Sequence, residues 1–288
     1  MRSFLYVPGN QPKMLATALS RGADALIVDL EDAVPAAEKA ATRDAVAAWL
    51  TSVPPAAPVY VRVNAGPAGL EDARAAVTAA LRPAPAAGGA AASTLRGLVV
   101  AKASPEQVTT LGHLLDDLDP AGAVGLVPLL ETPQAILAAA DLASAPRVTR
   151  MQIGEADLAA ELGITPGDDS LLLARSTVVL ASAAAGIEPP AAAVTTDFRD
   201  LDALRRSTRT LKRLGFRGRA CIHPAQLPVV HEVFTPSADE VAEARDLVER
   251  FEAAGGGVCL DARGRMVDLA VVRDARRVLA LAGGRIAG

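Results

Sequence analysis

Most of the short apolar runs in this chain end in a charged or polar residue. Asp29, Glu31 and Asp32 close the run that begins at Ala25, and Arg62 and Asn64 sit at the end of Val59–Val63. Lys102 follows Gly97–Ala101, Glu131 follows Val124–Leu130, and Glu155 and Asp157 follow Thr149–Ile153. Thr195, Thr196 and Asp197, and then His223, close the last two runs. Several carboxylates with no accompanying histidine and cysteine set favour a hard divalent cation, Mg²⁺ foremost. Such an ion keeps water and needs only one or two carboxylates, so Glu131 and Asp157, from successive runs, suffice. Glu131 also precedes Thr132-Pro133, where a carboxylate stabilises a helix start, so that role competes. An arginine inside an apolar strand is costly unless it faces a partner. Arg62 therefore pairs with Asp29 or Glu31, binds a substrate anion, or does both. His223, before Pro224, reads as a hydrogen-bonded rim residue, and Arg205, Arg206, Arg209, Lys212 and Arg213 as a solvated helix face.

The elements that must position these groups alternate. The eight runs read as strands are Ser3–Val7, Ala25–Leu30, Val59–Val63, Gly97–Ala101, Val124–Leu130, Thr149–Ile153, Ala192–Thr196 and Arg219–His223. Between them the pattern predicts helices over Pro12–Ser20, Glu38–Leu50, Leu70–Leu81, Pro105–Leu118, Pro133–Leu142, Asp169–Ala185, Leu201–Leu214 and Ala225–Phe234. Ser104-Pro105 and Thr132-Pro133 carry a capping hydroxyl followed by proline at the first helical position. Eight strand–helix repeats fit a (β/α)₈ TIM barrel, whose chemistry sits at the C-terminal ends of its strands. The rival open sheet wants a glycine-rich phosphate loop after its first strand, and Pro8-Gly9-Asn10 is not one.

Beyond the repeats, Thr235-Pro236-Ser237 breaks the chain. A charged helix over Asp239–Ala254, three glycines, a hairpin-like Val258–Met266 and a helix over Ala270–Ala282 follow. The expected division is a catalytic barrel over 1–234 and a C-terminal helical extension or lid over 235–288. Pro83–Thr94 reads as a low-complexity surface loop.

Composition limits the partners. With 29 basic against 33 acidic residues, the chain offers no basic footprint for nucleic acid, and 3% aromatic content gives no stacking platform. No uncharged stretch reads as a membrane span, because the prolines at 54, 55 and 58 break the longest one. The N-terminus lacks the pattern of a secretory signal, and two cysteines make no disulfide framework. A reduced, cytoplasmic protein is expected.

The motifs resemble the HpcH/HpaI aldolase/citrate lyase superfamily, in its citrate lyase beta subunit-like branch. They are Phe4-Leu5-Tyr6-Val7-Pro8-Gly9-Asn10, Gly22–Val34 (GADALIVDLEDAV), Val61-Arg62-Val63-Asn64 and Leu130-Glu131-Thr132-Pro133. Gly154-Glu155-Ala156-Asp157-Leu158-Ala159, Ile222-His223-Pro224-Ala225-Gln226 and Gly264-Arg265-Met266-Val267-Asp268 complete the set in family order. The resemblance implies a TIM barrel, Mg²⁺ held by Glu131 and Asp157, and a CoA-thioester substrate. It implies that Arg62 lies beside the thioester carbonyl, with Asp29 and Glu31 orienting it. Asn64, Glu131, Gly154 and Glu155 would join Arg62 around the substrate. Asp268 would serve in acid/base chemistry in a neighbouring subunit's site, which makes a homo-oligomer, a trimer, part of the expectation. This sequence departs from the family pattern at Ala101, at Glu155-Ala156 and at Ala270.

The reaction so implied is reversible cleavage of a carboxylated 3-hydroxyacyl-CoA (malyl-, citramalyl- or citryl-CoA) to acetyl-CoA and a small 2-oxo acid. Two other readings stand beside it. One is a CoA-free aldolase acting on 2-oxo acids. The other is a non-autonomous citrate lyase beta subunit acting on a carrier-protein thioester.

Overall fold

The computed structural model describes residues 1–54, 57–81 and 93–283. Eight parallel strands, paired in chain order, close into a barrel. The first half alternates β1 (Ser3–Pro8), α1 (Pro12–Ala18), β2 (Ala25–Asp29), α2 (Lys39–Ser52), β3 (Val59–Val63), α3 (Gly66–Ala80), β4 (Leu95–Val100) and α4 (Pro105–Leu118). The second half holds β5 (Gly125–Leu130), α5 (Pro133–Leu137), α6 (Ala139–Ser144), β6 (Arg150–Ile153), α7 (Glu155–Leu162) and α8 (Leu172–Ala184). It ends with β7 (Glu188–Ala192), α9 (Leu201–Leu214), β8 (Gly218–Cys221) and α10 (Leu227–Phe234). Pairing of β1 with both β2 and β8 closes the ring. The expected (β/α)₈ architecture is the observed one.

Strand alternation explains how this ring makes both a core and a site. Phe4, Ala25, Ile27, Tyr60, Val99, Val127, Leu129 and Ala191 form one buried cluster with Tyr6 against it. They lie two residues apart along each strand, the period that keeps side chains on one face. Continuing the same parity toward the strand ends reaches Asp29, Arg62, Glu131, Gln152 and Gly154. The inward row is therefore apolar at one end and polar at the other. Gly97 in β4 makes room for this core, since a Cβ there would lie 3.0 Å from the Tyr60 ring and 2.8 Å from the Gly125 carbonyl.

The structure moves several expected boundaries. β7 occupies Glu188–Ala192, four residues before the expected Ala192–Thr196. It contains Pro189 and Pro190, which donate no ladder hydrogen bond and are unusual inside a strand. The barrel tolerates them where the pairing of β6 with β7 shifts register, and Pro189 O accepts from the Arg150 side chain. The helix expected over Pro133–Leu142 breaks at Ala138, which has φ −92° and ψ 13°. The short α7, closed by left-handed Gly163, falls where the sequence reading places no helix. Residues 83–92 of the expected low-complexity loop lie outside the described residues.

The chain divides into two compact units, Met1–Val230 and His231–Gly288. The second contains α11 (Ala238–Ala253), an antiparallel pair of β9 (Cys259–Leu260) with β10 (Met266–Val267), and α12 (Leu269–Gly283). Ser237 and Glu240 form a capping box at the start of α11, and Phe251, Val267 and Val272 make a small core. Among the described residues no helix is long and apolar enough to cross a membrane.

Candidate active site

The site grows from the pairing of β2 with β3, which sets Asp29 opposite Arg62. Arg62 Nε donates to Asp29 Oδ1 at 2.7 Å and Nη2 donates to Oδ2 at 2.6 Å. Nη1 lies 3.0 Å from Glu31 Oε2 and donates to Asp32 Oδ2 at 3.1 Å. Asp29 in turn accepts from the backbone N–H groups of Glu31 and Ala33, so it also ties the turn that follows β2. The guanidinium stands 5.2 Å from the centre of the Tyr6 ring. Burial opposes its charge, but the hydrogen bonds and charge of Asp29, with Tyr6 and Glu31, outweigh it and hold the arginine firmly cationic. Structural pairing, one of the two roles left open for Arg62, is thus present.

Glu131 follows β5 and is almost wholly buried. Its Oε1 accepts from the Lys102 backbone N–H at 2.6 Å. Lys102 has φ +47°, a left-handed conformation that costs an L residue about 1–2 kcal/mol. Its Nζ reaches Glu31 Oε1 at 2.8 Å, which raises the lysine pKa. Burial pushes the Glu131 carboxyl up to about 7. The Lys102 amide works against that rise, and the charges of Asp157 and Glu31 add to it.

Asp29, Arg62, Glu131, Gly154, Glu155 and Asp157 all line one cavity of about 660 Å³. Its floor includes Tyr6, Leu129 and Gln152, and its far wall Val194, Thr195, Thr196 and Ile222. Gly154 has to be small, because a Cβ there would lie 2.7 Å from Glu131 Cβ and 2.8 Å from Oε2. Asp157 sits in the first turn of α7. Among the described residues no group of three or more His, Cys, Asp and Glu is arranged to hold a metal. Two carboxylates still fit a cation that keeps most of its waters. One of them is buried against the negative charge of the other, which a divalent ion would relieve.

Two supports fix the walls. Glu155 accepts from Arg175 Nε and Nη2 at 2.7 and 2.9 Å, and Arg175 Nη1 donates to Asp168 at 2.8 Å. That arginine ties the cavity's edge to the loop bearing Pro166. Arg219 is buried with neutral oxygen acceptors, including Thr195 Oγ1 at 2.5 Å and Thr208 Oγ1 at 2.6 Å. Burial pulls its pKa down to about 10. Gln226 Nε2 donates to Thr195 O at 3.1 Å, so Thr195 is held from both sides.

Two of the residues singled out from the sequence, Asn64 and Glu31, stand outside the cavity lining. The Asn64 side chain donates to Leu30 O and Asp72 Oδ2 and accepts from Lys39, so it joins strand ends to helices. Glu31 lies behind the wall, bridging Arg62 and Lys102. Asp268 belongs to the second unit, where its Oδ1 accepts from the Ala270 and Val271 amides at the start of α12. Sequence reasoning gave no role to Tyr6, Gln152 or Arg175. Tyr6 and Gln152 were legible from inward parity, and Arg175 is the single charged residue between Leu171 and Ile187.

A TIM barrel whose C-terminal strand ends gather acids around one clamped arginine is the architecture of a metal-assisted enzyme site. A family model described as HpcH/HpaI aldolase/citrate lyase matches residues 2–224, and the chain belongs to this family of enzymes. It is similar to a (3S)-malyl-CoA thioesterase of Cereibacter sphaeroides, at 34% identity over 98% of this chain and 94% of the relative. It is also similar to the citrate lyase subunit beta of Leuconostoc mesenteroides subsp. cremoris, at 29% identity over 98% and 93%. A solved structure of CitE from Mycobacterium tuberculosis, in complex with magnesium, acetoacetate and coenzyme A, superposes with TM-score 0.78 and 28% identity over 98% of each chain.

Proposed function

We propose that this protein is a Mg²⁺-dependent carbon–carbon lyase that cleaves a carboxylated 3-hydroxyacyl-CoA to acetyl-CoA and a 2-oxo acid. The observation that carries the reading is one cavity lined by two carboxylates, Glu131 and Asp157, and by the clamped guanidinium of Arg62. The CitE complex with magnesium, acetoacetate and coenzyme A supports it from outside the chain.

Glu131 and Asp157 would hold the metal, which when bound supplies a Lewis acid and template for a hydroxyacid or oxoacid. The chain's own groups do the rest. Loss of the substrate hydroxyl proton to a base turns that carbon into a carbonyl as the C–C bond breaks. The electron pair passes to the thioester as an enolate, beside Arg62, whose fixed charge stabilises it without reorganisation. Asp29, Glu31 and Asp32 keep the guanidinium in place. Proton delivery to the enolate carbon completes acetyl-CoA, and we assign it to Asp268 from a neighbouring copy. Exposed Leu137 on α5 and Leu173 and Leu180 on the adjacent α8 support an assembly of copies, with a trimer as the expected state.

A second reading is thioester hydrolysis, favoured by the malyl-CoA thioesterase relative. Product analysis on malyl-, citramalyl- and citryl-CoA, with Mg²⁺ and with EDTA, tests both. Metal-dependent acetyl-CoA with the matching 2-oxo acid is the expected result. Free CoA with the intact hydroxyacid would identify a thioesterase. No turnover of any free ester would leave the carrier-protein subunit or the CoA-free aldolase.

A further inference from the structure

The connection between β4 and α4 holds a lysine in a conformation that suits glycine. Lys102 has φ +47°, while the residues on either side follow the sheet. Ala101 N–H donates to Val63 O on one neighbouring strand and Ala103 N–H donates to Leu129 O on the other. The Lys102 N–H leaves this ladder and donates to Glu131 Oε1 at 2.6 Å. The side chain of the same residue runs elsewhere, to Glu31 Oε1 at 2.8 Å. The other Glu31 oxygen lies 3.0 Å from Arg62 Nη1. One residue therefore touches the carboxylate half of the site through its backbone and the arginine half through its side chain.

Residue choice sharpens the point. If only the backbone N–H mattered, glycine would serve better, since it enters the left-handed region without steric cost. A lysine at such a position implies that its ammonium contributes. Glu31 has two neighbouring cations, Arg62 and Lys102. Without Lys102 its carboxylate, which also accepts from the Asp32 N–H at 3.0 Å, would share Arg62 with Asp29 and Asp32 and lose its second cation. We infer that Lys102 is a positioning residue that couples the two halves of the site: its amide aims Glu131 and its ammonium holds Glu31 against Arg62. The inference rests on the magnesium lyase reading above.

Magnesium affinity of the purified full-length chain, measured by calorimetry with MgCl₂ and no substrate, separates the two roles. Glu131→Gln sets the scale; if it binds magnesium like the unsubstituted chain, the metal reading itself is wrong. Lys102→Val, whose β-branched side chain is excluded from the left-handed region, withdraws the N–H. It is expected to lower magnesium affinity about tenfold or more, the usual effect of losing a group that orients a metal ligand. Lys102→Gly keeps the N–H and relaxes φ, so its affinity should stay within about twofold, yet kcat should fall about tenfold with KM little changed. Lys102→Arg restores the cation and should recover most of that kcat. A merely structural lysine would lower the melting temperature in all three and leave magnesium affinity untouched. If Lys102→Val binds magnesium normally while Glu131→Gln does not, the backbone role is overturned. If Lys102→Gly keeps full kcat, the side-chain role is overturned. Should Lys102→Val fail to fold, Lys102→Thr, also β-branched but polar, replaces it with the same expected loss of magnesium affinity; normal affinity there would also overturn the backbone role.

Discussion

Arg62 and Asp29 meet fork to fork across adjacent strands, with Nε–Oδ1 at 2.7 Å and Nη2–Oδ2 at 2.6 Å. Both residues are buried, and Asp29 also accepts two backbone amides from the turn after β2. The guanidinium is thereby fixed before any ligand arrives. Preorganised charge of this kind stabilises a transition state because nothing need move to meet it.

Asp29→Asn tests that clamp. The amide keeps the size but presents N–H to N–H at one of the two contacts. We expect kcat to fall by about ten- to a hundredfold. Because it weakens a buried pair, stability should drop toward the ~3–5 kcal/mol known for stranded charges. Thermal melts and steady-state kinetics measure the two effects separately.

Arg62→Ala removes the charge outright. The expected loss in kcat is on the order of a hundredfold or more, with a smaller change in KM. Arg62→Lys should rescue little, since an ammonium cannot reproduce the bidentate fork. A change confined to KM would show that Arg62 only binds the ground state.

Gly154→Ala introduces a methyl where Glu131 already stands, 2.7 Å from its Cβ and 2.8 Å from its Oε2. Glu131 must shift. Magnesium affinity is expected to fall about tenfold with the far-UV circular dichroism unchanged.

Arg175→Met leaves Glu155 and Asp168 without their shared cation. Asp168 is exposed and Glu155 is partly so, which screens the loss. Destabilisation of about 2–3 kcal/mol is expected, below that of a fully buried pair. The loop with Pro166 should become more open to limited proteolysis, which reports its release from the cavity edge.

Cys221 should resist alkylation in the native protein at pH 8. It is fully buried, and burial pushes its thiol up to about 12, so the reactive thiolate is absent. Iodoacetamide labelling followed by mass spectrometry should modify Cys221 after unfolding and not before.

Much of this molecule is local in origin. The period-two alternation of apolar residues predicts which side chains face inward, and the capping pairs Ser104-Pro105 and Thr132-Pro133 mark helix starts that the structure keeps at Pro105 and Pro133. The polar strand ends stood out because a charged residue in an apolar run needs a partner, and barrel geometry puts all such ends on one rim. Local pattern was weaker where packing overrides it. The strand expected over Ala192–Thr196 lies instead at Glu188–Ala192 and takes in Pro189 and Pro190, because one irregular stretch of the ladder can spare their missing donors.

Residue types and their order thus determined a TIM barrel and a rim of acids with one inward arginine. Tertiary structure alone decided how those groups are shared out. Arg62 lies in β3 and Asn64 just past its end, yet Asn64 is spent on Leu30, Asp72 and Lys39 while Arg62 faces the cavity. Lys102 was one strand-end charge among many until its left-handed backbone turned an amide toward Glu131. Such assignments depend on hydrogen-bond partners from other strand–helix units, such as Leu30 for Asn64 and Glu131 for Lys102, whose positions are fixed only when the ring closes.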